Sequence, residues 1–294
     1  MRIGCFQLSD PVPECKEPYV VACLRPWIDV NGVGTLVLRE LEERYNATEM
    51  AALAEPGLFY DFTRYRPTIR IDDGIRDLSI PNTTVHFAER EGQHDLLLLH
   101  LLEPHAHAEL YVQSVLRLIK ALGAKKYILV GSMHDMVPHT KPLLVSGYGM
   151  GEEGRRDAKK AGLMPITYHG PSSMVNLITK KAPEMGIDTV ALMVSLPQYV
   201  VVEEDYLGKV RLMEILNLLY DIPLDKEDFD RALEQRRLIN ERLEVSPEVK
   251  GLLSQLESAY DARVKAFEAE GTPHLTSEME EILWNTMGKD IGKA

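Results

Sequence analysis

Only three cysteines occur in 294 residues. Cys5, Cys15 and Cys23 are unevenly spaced and crowd the start, which suits a reducing cytoplasm better than a disulfide framework. No basic start leads into an apolar stretch, so no signal peptide is expected. The longest apolar run, Leu96–Leu99 with its flanks, is far too short to cross a bilayer. Positive charge is also in deficit: the net charge is -12 and the pI about 5.3. That field repels nucleic acid and anionic membranes, so neither is an expected partner. The chain carries neither GxGxxG nor GxxxxGK followed by Ser or Thr, and it has no GxSxG elbow. No internal repeat or low-complexity segment is apparent.

What is present begins with PWIDVNGVGTLVLREL, Pro26–Leu41. Tyr19–Leu24 before it is an apolar run fit for a buried strand. Thr35–Tyr45 after it sets Leu36, Leu38, Leu41 and Tyr45 at helical spacing. Between them Asp29, Asn31, Gly32 and Gly34 make a sharp strand-to-helix turn, which glycine's freedom permits. Such a turn leaves the first N–H groups of the helix free to cradle a ligand. Alternatively, the glycines only let strand and helix pack closely.

Further along, Phe59 to Ile71 reads as a strand broken by Pro67, and Asp73-Gly74 as a hairpin turn. Thr83–Ala88 and Asp95–Leu102 read as strands, the second (LLLLHLL) apolar on both faces and so central in a covered sheet. A helix over Glu109–Leu122 stops at Gly123. Lys126–Val130 is a buried strand ending at Gly131, followed by a long loop from Ser132 to Gly154. Leu163–Tyr168 and Asp188–Ser195 read as strands. Helices are expected from Pro171 to about Pro183 and over Glu203–Tyr220. This alternation predicts a mostly parallel or mixed sheet with helices on both faces.

Composition changes at Asp221-Ile-Pro223. The expected division is an α/β core of residues 1–222 and a helical appendage of residues 223–294. Asp225 can cap a helix carrying Phe229, Leu233, Leu238, Ile239 and Leu243. Ser246-Pro247 starts another with Val249, Leu253, Leu256, Tyr260, Val264 and Phe267. Their alternating three- and four-residue steps suit an antiparallel pair packed on the core or on a neighbouring subunit. A last amphipathic segment is expected over Ser277–Met287. Residues 225–294 hold 16 Asp and Glu against 10 Lys and Arg, half of the chain's acidic surplus, as in a solvated arm open to a partner.

Several polar groups could carry chemistry. Glu103, His105 and His107 leave the end of a buried strand, and His100 lies within it. His105 and His107 would face one way in extended chain, as a metal pair needs, with Glu103 or His134 as third ligand. No thiolate lies near, and loop polar residues that cap the next helix explain them better than a metal pair does. No metal is therefore expected, and no structural zinc at His100, His105, His107 or His134. Ser132, His134 and Asp135 are adjacent, which rarely permits triad geometry. The loop with Pro138, His139, Thr140 and Lys141 runs on to a glycine-rich stretch, where Glu152 and Glu153 would repel an anion. Tyr168-His169-Gly170-Pro171 repeats the design of the Asn31–Gly34 turn, and two such turns on one sheet edge would share a crevice.

The stretches PWIDVNGVGTLVLREL, YDFTRYRP, DLLLLHLLEP, LGAKKYILVGSM, DMVPHTKP, YHGPSSMVNLI and SLPQYV, with the helical LYDIPLDKEDFDRALEQ, are recognisable together. Over about Leu24 to Tyr260 the chain resembles the bacterial and archaeal members of the proteasome assembly chaperone two (PAC-two) family. The resemblance implies an α/β fold, a three-layer α/β/α sandwich with a mixed sheet of the nucleoside-phosphorylase type. It also implies a ring-like homo-oligomer, often a trimer, and a chaperone-like protein-binding role. The family's loose ATP-grasp label finds no support here. There is no glycine-rich nucleotide hairpin followed by a magnesium-binding Glu/Asn pair, and no cofactor is expected. The end Asp290-Ile-Gly-Lys-Ala294 lacks the hydrophobic–Tyr–X pattern of proteasome-ring docking. The alternative is a small-molecule enzyme of phosphorylase or hydrolase type. It would use a crevice between Asn31–Gly34, Glu103–His107 and His134–Thr140, with Glu103 or His134 as general base. An enzyme needs these groups converging on one concave volume, whereas a binding protein can scatter them.

Overall fold

A computed structural model describes residues 1–72, 75–166, 168, 170–244 and 247–269. Its strands are β1 (Arg2–Ile3), β2 (Phe6–Leu8), β3 (Tyr19–Arg25), β4 (Thr48–Leu53), β5 (Thr68–Asp72), β6 (Ile75–Ser79), β7 (Thr84–Ala88), β8 (Leu96–Leu102), β9 (Lys126–Asp135), β10 (Val145–Met150) and β11 (Asp188–Pro197). Its helices are α1 (Val33–Tyr45), α2 (Ala108–Ala121), α3 (Glu152–Lys160), α4 (Val175–Lys181), α5 (Tyr206–Tyr220), α6 (Lys226–Glu244) and α7 (Pro247–Ala269).

Nine strands form one mixed sheet in the order β1-β2-β4-β7-β8-β3-β9-β11-β10. The centre, β8-β3-β9-β11, is parallel. Its flanks are antiparallel, β10 on one side and β7, β4, β2 and β1 on the other. Side chains alternate across each central strand with the period of two that a pleat imposes. Val20, Ala22 and Leu24 of β3 enter one core with Leu97, Leu99 and Leu101 of β8 and with Tyr111, Val115 and Ile178 of α2 and α4. Val21 and Cys23 enter the other with Leu96, Leu98, Leu38 and Leu41 of α1, and Leu212 and Leu216 of α5. The fold is thus an α/β/α sandwich around a mixed sheet. Among the described residues, β5 and β6 pair only with each other.

Differences from the sequence reading fall where glycine and local hydrogen bonds override pattern. The expected loop from Ser132 to Gly154 contains the end of β9, all of β10 and the start of α3. Glycines make β10 possible: a Cβ on Gly147 would meet the Ala191 carbonyl oxygen at 2.0 Å, and one on Gly149 the Gly154 carbonyl oxygen at 1.8 Å. Leu163–Tyr168 is not a strand; it contributes one bridge, Ser146 to Met164. Residues 59–67 are a folded loop rather than a strand. The Asp61 carboxylate accepts hydrogen bonds from the Thr63 N–H and hydroxyl, at 2.8 and 2.7 Å, and so turns the chain. The expected Asp73-Gly74 turn, the junction Val245-Ser246 and the segment Ser277–Met287 lie outside the described residues.

α6 packs on α5 through Phe229, Ala232 and Val210. Asp225 turns the chain into α6 through its carboxylate, which accepts the Glu227 N–H at 2.8 Å. α7 folds back along α6, since Arg236 of α6 and Glu257 of α7 both reach Thr140. Tyr260 and Phe267 of α7 complete a small core with Val137, Leu144 and Met164. Among the described residues, no helix is long and apolar enough to cross a membrane.

Candidate functional site

β8, β3, β9 and β11 end at a common edge, where open α/β sheets place their sites. At the first turn beyond β3, Asp29 governs the geometry. Its carboxylate accepts hydrogen bonds from the Gly34 N–H at 2.8 Å, the Thr35 N–H at 3.1 Å and the Thr35 hydroxyl. The N–H groups that could have cradled a ligand are therefore taken by the chain's own side chain. Asn31 and Gly32 adopt positive φ, 52° and 67°, to make the bend. The Asn31 carbonyl accepts from the Asp205 N–H at 3.0 Å. A Cβ on Gly34 would lie 2.4 Å from Cys23 Sγ, so this glycine serves the close approach of α1 to β3.

The other candidate residues disperse. Glu103 is half-buried, and burial raises its pKa despite a hydrogen bond from the Met174 N–H. His105 Nδ1 accepts the Asp61 N–H at 3.0 Å, and its ring lies 4.5 Å from that of Tyr65. His107 heads α2 with φ 54° and meets Phe59 edge-on, so it does not pair with His105 in extended chain. His134 is exposed. The Ser132 hydroxyl donates to the Val30 carbonyl at 2.7 Å. Asp135 binds Arg263 at 2.8 Å and the Ser195 hydroxyl at 3.0 Å. Burial works against its ionisation, but Arg263, the Met136 N–H and Ser195 outweigh it and hold its pKa below the ordinary carboxylate value. Ser132, His134 and Asp135 are thus no triad. His139 meets the Tyr199 hydroxyl through both its N–H, at 2.9 Å, and its Nδ1, at 2.8 Å. Burial, then Arg236, lowers its pKa. The Thr140 hydroxyl donates to Glu257 at 2.6 Å. Gly170 is exposed against the Tyr168 ring.

A cleft of about 390 Å³ opens between α5, α6 and the loops after β9 and β11. Of Asp29, Asn31, Gly32, Gly34, Glu103, His105, His134, His139, Thr140 and Gly170, only His139 lines it, beside Lys141, Asp205, Arg211, Glu214 and Arg236. Each of these is engaged within the chain: Lys141 with Asp261, Arg211 with Glu214, Asp205 with the Gly208 N–H and Arg236 with the Thr140 carbonyl. A second hollow, about 120 Å³, is lined mainly by apolar and aromatic groups, among them Trp27, Tyr148, Ile166 and Tyr168, and by none of the ten. No shared crevice gathers Asn31, Gly34, Glu103 and His139 in either hollow. Sequence reasoning missed the α7 contacts of Glu257, Asp261 and Arg263. Their only signal was charge flanking an apolar stripe, which does not say what the charges meet.

One cluster lies apart from this edge. Glu42 of α1, His86 of β7 and His100 of β8 bring their donor atoms within 4.8 Å of one another. His86, half-buried there, has its pKa lowered by desolvation.

No curated protein matches the chain. Among solved structures, a protein of unknown function from Corynebacterium glutamicum is 19% identical, aligning over 90% of this chain and 100% of its own with a TM-score of 0.78. A PAC2 family protein from Streptomyces avermitilis is 24% identical, covering 80% of this chain and 99% of its own, with a TM-score of 0.71. A proteasome-assembly chaperone homologue from Mycobacterium tuberculosis is 22% identical, covering 81% and 99%, also with a TM-score of 0.71. These likenesses carry the fold. The family model described as the PAC2 family matches residues 23–243, and on that match, which spans most of the sheet and its helices, the chain belongs to the PAC2 family.

Proposed function

We propose that this protein acts by binding protein, as a self-associating and non-catalytic assembly factor of the cytoplasm. Two lines support the reading. Asp29, His139 and Thr140 at the sheet edge bond within the chain, and the candidate residues line no common hollow, whereas a catalytic site needs convergence. Relatives of the same fold include proteasome-assembly chaperone homologues from Mycobacterium tuberculosis and Pyrococcus furiosus.

The observation that carries self-association is the β5–β6 hairpin. A two-stranded hairpin is marginal alone in water. Here Ile69, Ile71 and Leu78 share one face by register and are 47%, 70% and 54% exposed. A side chain of this kind stabilises by roughly 1.5–3 kcal/mol when buried. Its arginines Arg66, Arg70 and Arg76 are balanced by Asp72, Asp73 and Asp77, so the face is distinguished by its apolar side chains and not by charge. An apolar face this open is what the matching face of a second copy would cover.

Sedimentation velocity of the wild type and of an Ile69→Asp/Leu78→Asp variant tests this. Expected is an oligomer for the wild type and a monomer with the same melting temperature for the variant. A monomeric wild type, or a variant that stays oligomeric, would refute it.

A further inference from the structure

We propose that Glu42, His86 and His100 bind a divalent transition-metal ion. The three donors come from three elements and meet only in the fold. β7 and β8 are antiparallel neighbours in which Thr84 faces His100 and His86 faces Leu98. The two imidazoles are therefore diagonal neighbours on one sheet face. Their ring centroids lie 5.4 Å apart with the planes nearly perpendicular, at 83°. α1 lies over the same face and lowers Glu42 between them. Glu42 Oε1 is 2.5 Å from His100 Nε2 and 3.2 Å from His86 Nδ1.

An ion held tetrahedrally at about 2.0–2.1 Å spaces its donors about 3.3 Å apart. The Glu42–His86 separation already matches, and the Glu42–His100 separation needs to open by about 0.8 Å on that spacing. An ordinary hydrogen bond between Glu42 and His100 accounts for two members of the cluster. It does not account for the third: His86 Nδ1 is buried without a hydrogen bond, although a carboxylate oxygen lies within reach. A buried polar nitrogen left so is costly unless something else takes the missing partner's place. A cation shared with Glu42 and His100 does.

Charge agrees. Two neutral imidazoles and one carboxylate leave a divalent ion one positive charge in excess. Glu49 stands directly opposite His86 in the β4–β7 register, on the same face, and sets a second negative charge beside the cluster without joining its donor group. Imidazole with carboxylate favours Zn²⁺, Co²⁺ or Ni²⁺ over Mg²⁺ and Ca²⁺, which take oxygen ligands. The ion would pin α1 to β7 and β8. This reverses the expectation from sequence, where His100 was weighed only against its near neighbours and no zinc was expected there.

Full-length protein, stripped with chelator and desalted, should be titrated with Zn²⁺ by calorimetry and with Co²⁺ by visible absorption. One ion per chain is expected, with Co²⁺ bands of a low-coordinate site and a Zn²⁺-dependent rise in melting temperature. Glu42→Gln and His86→Gln keep side-chain volume and should each weaken binding by about tenfold or more, abolish the Co²⁺ bands and remove the thermal shift. His105→Ala and His134→Ala should leave all three unchanged. Failure of the wild type to bind either ion stoichiometrically would overturn the site, as would undiminished binding in Glu42→Gln and His86→Gln.

Discussion

Asp29 decides what the first strand-to-helix turn can do. By satisfying the Gly34 and Thr35 N–H groups it caps α1 and closes the anion cradle that the glycines suggested. Replacing a capping carboxylate by alanine costs about 1–2 kcal/mol. Asp29→Ala should lower unfolding stability by that amount in urea denaturation, and phosphate should not restore it. Rescue by phosphate would show that the turn is an anion site after all. His139 gives a pH-dependent counterpart. Burial and Arg236 hold it below its ordinary 6.5. As pH falls through 6.5 the unfolded chain takes up a proton that the folded chain accepts only at lower pH. Stability from the neutral ring is complete above that value and is lost as pH falls through the folded pKa. Between about pH 7.5 and 5, His139→Gln should show a shallower loss of stability than the wild type. Equal slopes would mean that His139 titrates alike in both states.

At the scale of elements, α7 is a strap across the end of the sheet. Tyr260 and Phe267 fill the small core beneath it, and Thr140–Glu257, Lys141–Asp261 and Asp135–Arg263 fix its register. Phe267→Ala should cost about 3 kcal/mol, as truncating a buried aromatic does, whereas a change within about 0.5 kcal/mol would place Phe267 among surface positions. The helical stripes of α6 and α7 were legible in sequence because three- and four-residue steps have no other use at that length. What α7 packs against was not legible, since Val137, Leu144 and Met164 lie far earlier in the chain. β10 was hidden for the opposite reason. Its glycines read as loop, yet they serve the close approach of α3 and β11.

Across the whole molecule, the sheet was readable where strands are covered on both faces: β3, β8, β9 and β11 stand out as apolar runs. Candidate residues at their ends were readable as types but not as a site, because sequence does not say which partner satisfies each group. Asp29, His139 and Thr140 look reactive in the chain and are spoken for in the fold. Glu42, His86 and His100 look unrelated in the chain and meet in the fold. The apolar hairpin is the reverse of both. Its face finds no cover among the described residues, which is why self-association is the central claim.

Hydrogen exchange followed by mass spectrometry, at dilute and at concentrated protein, measures that cover directly. An isolated hairpin exchanges fast, since its edges and faces are open to water. The account predicts that amides of Thr68–Asp72 and Ile75–Ser79 gain protection as concentration rises, while those of β3 and β8 stay equally protected throughout. Fast exchange of the hairpin at every concentration would contradict it.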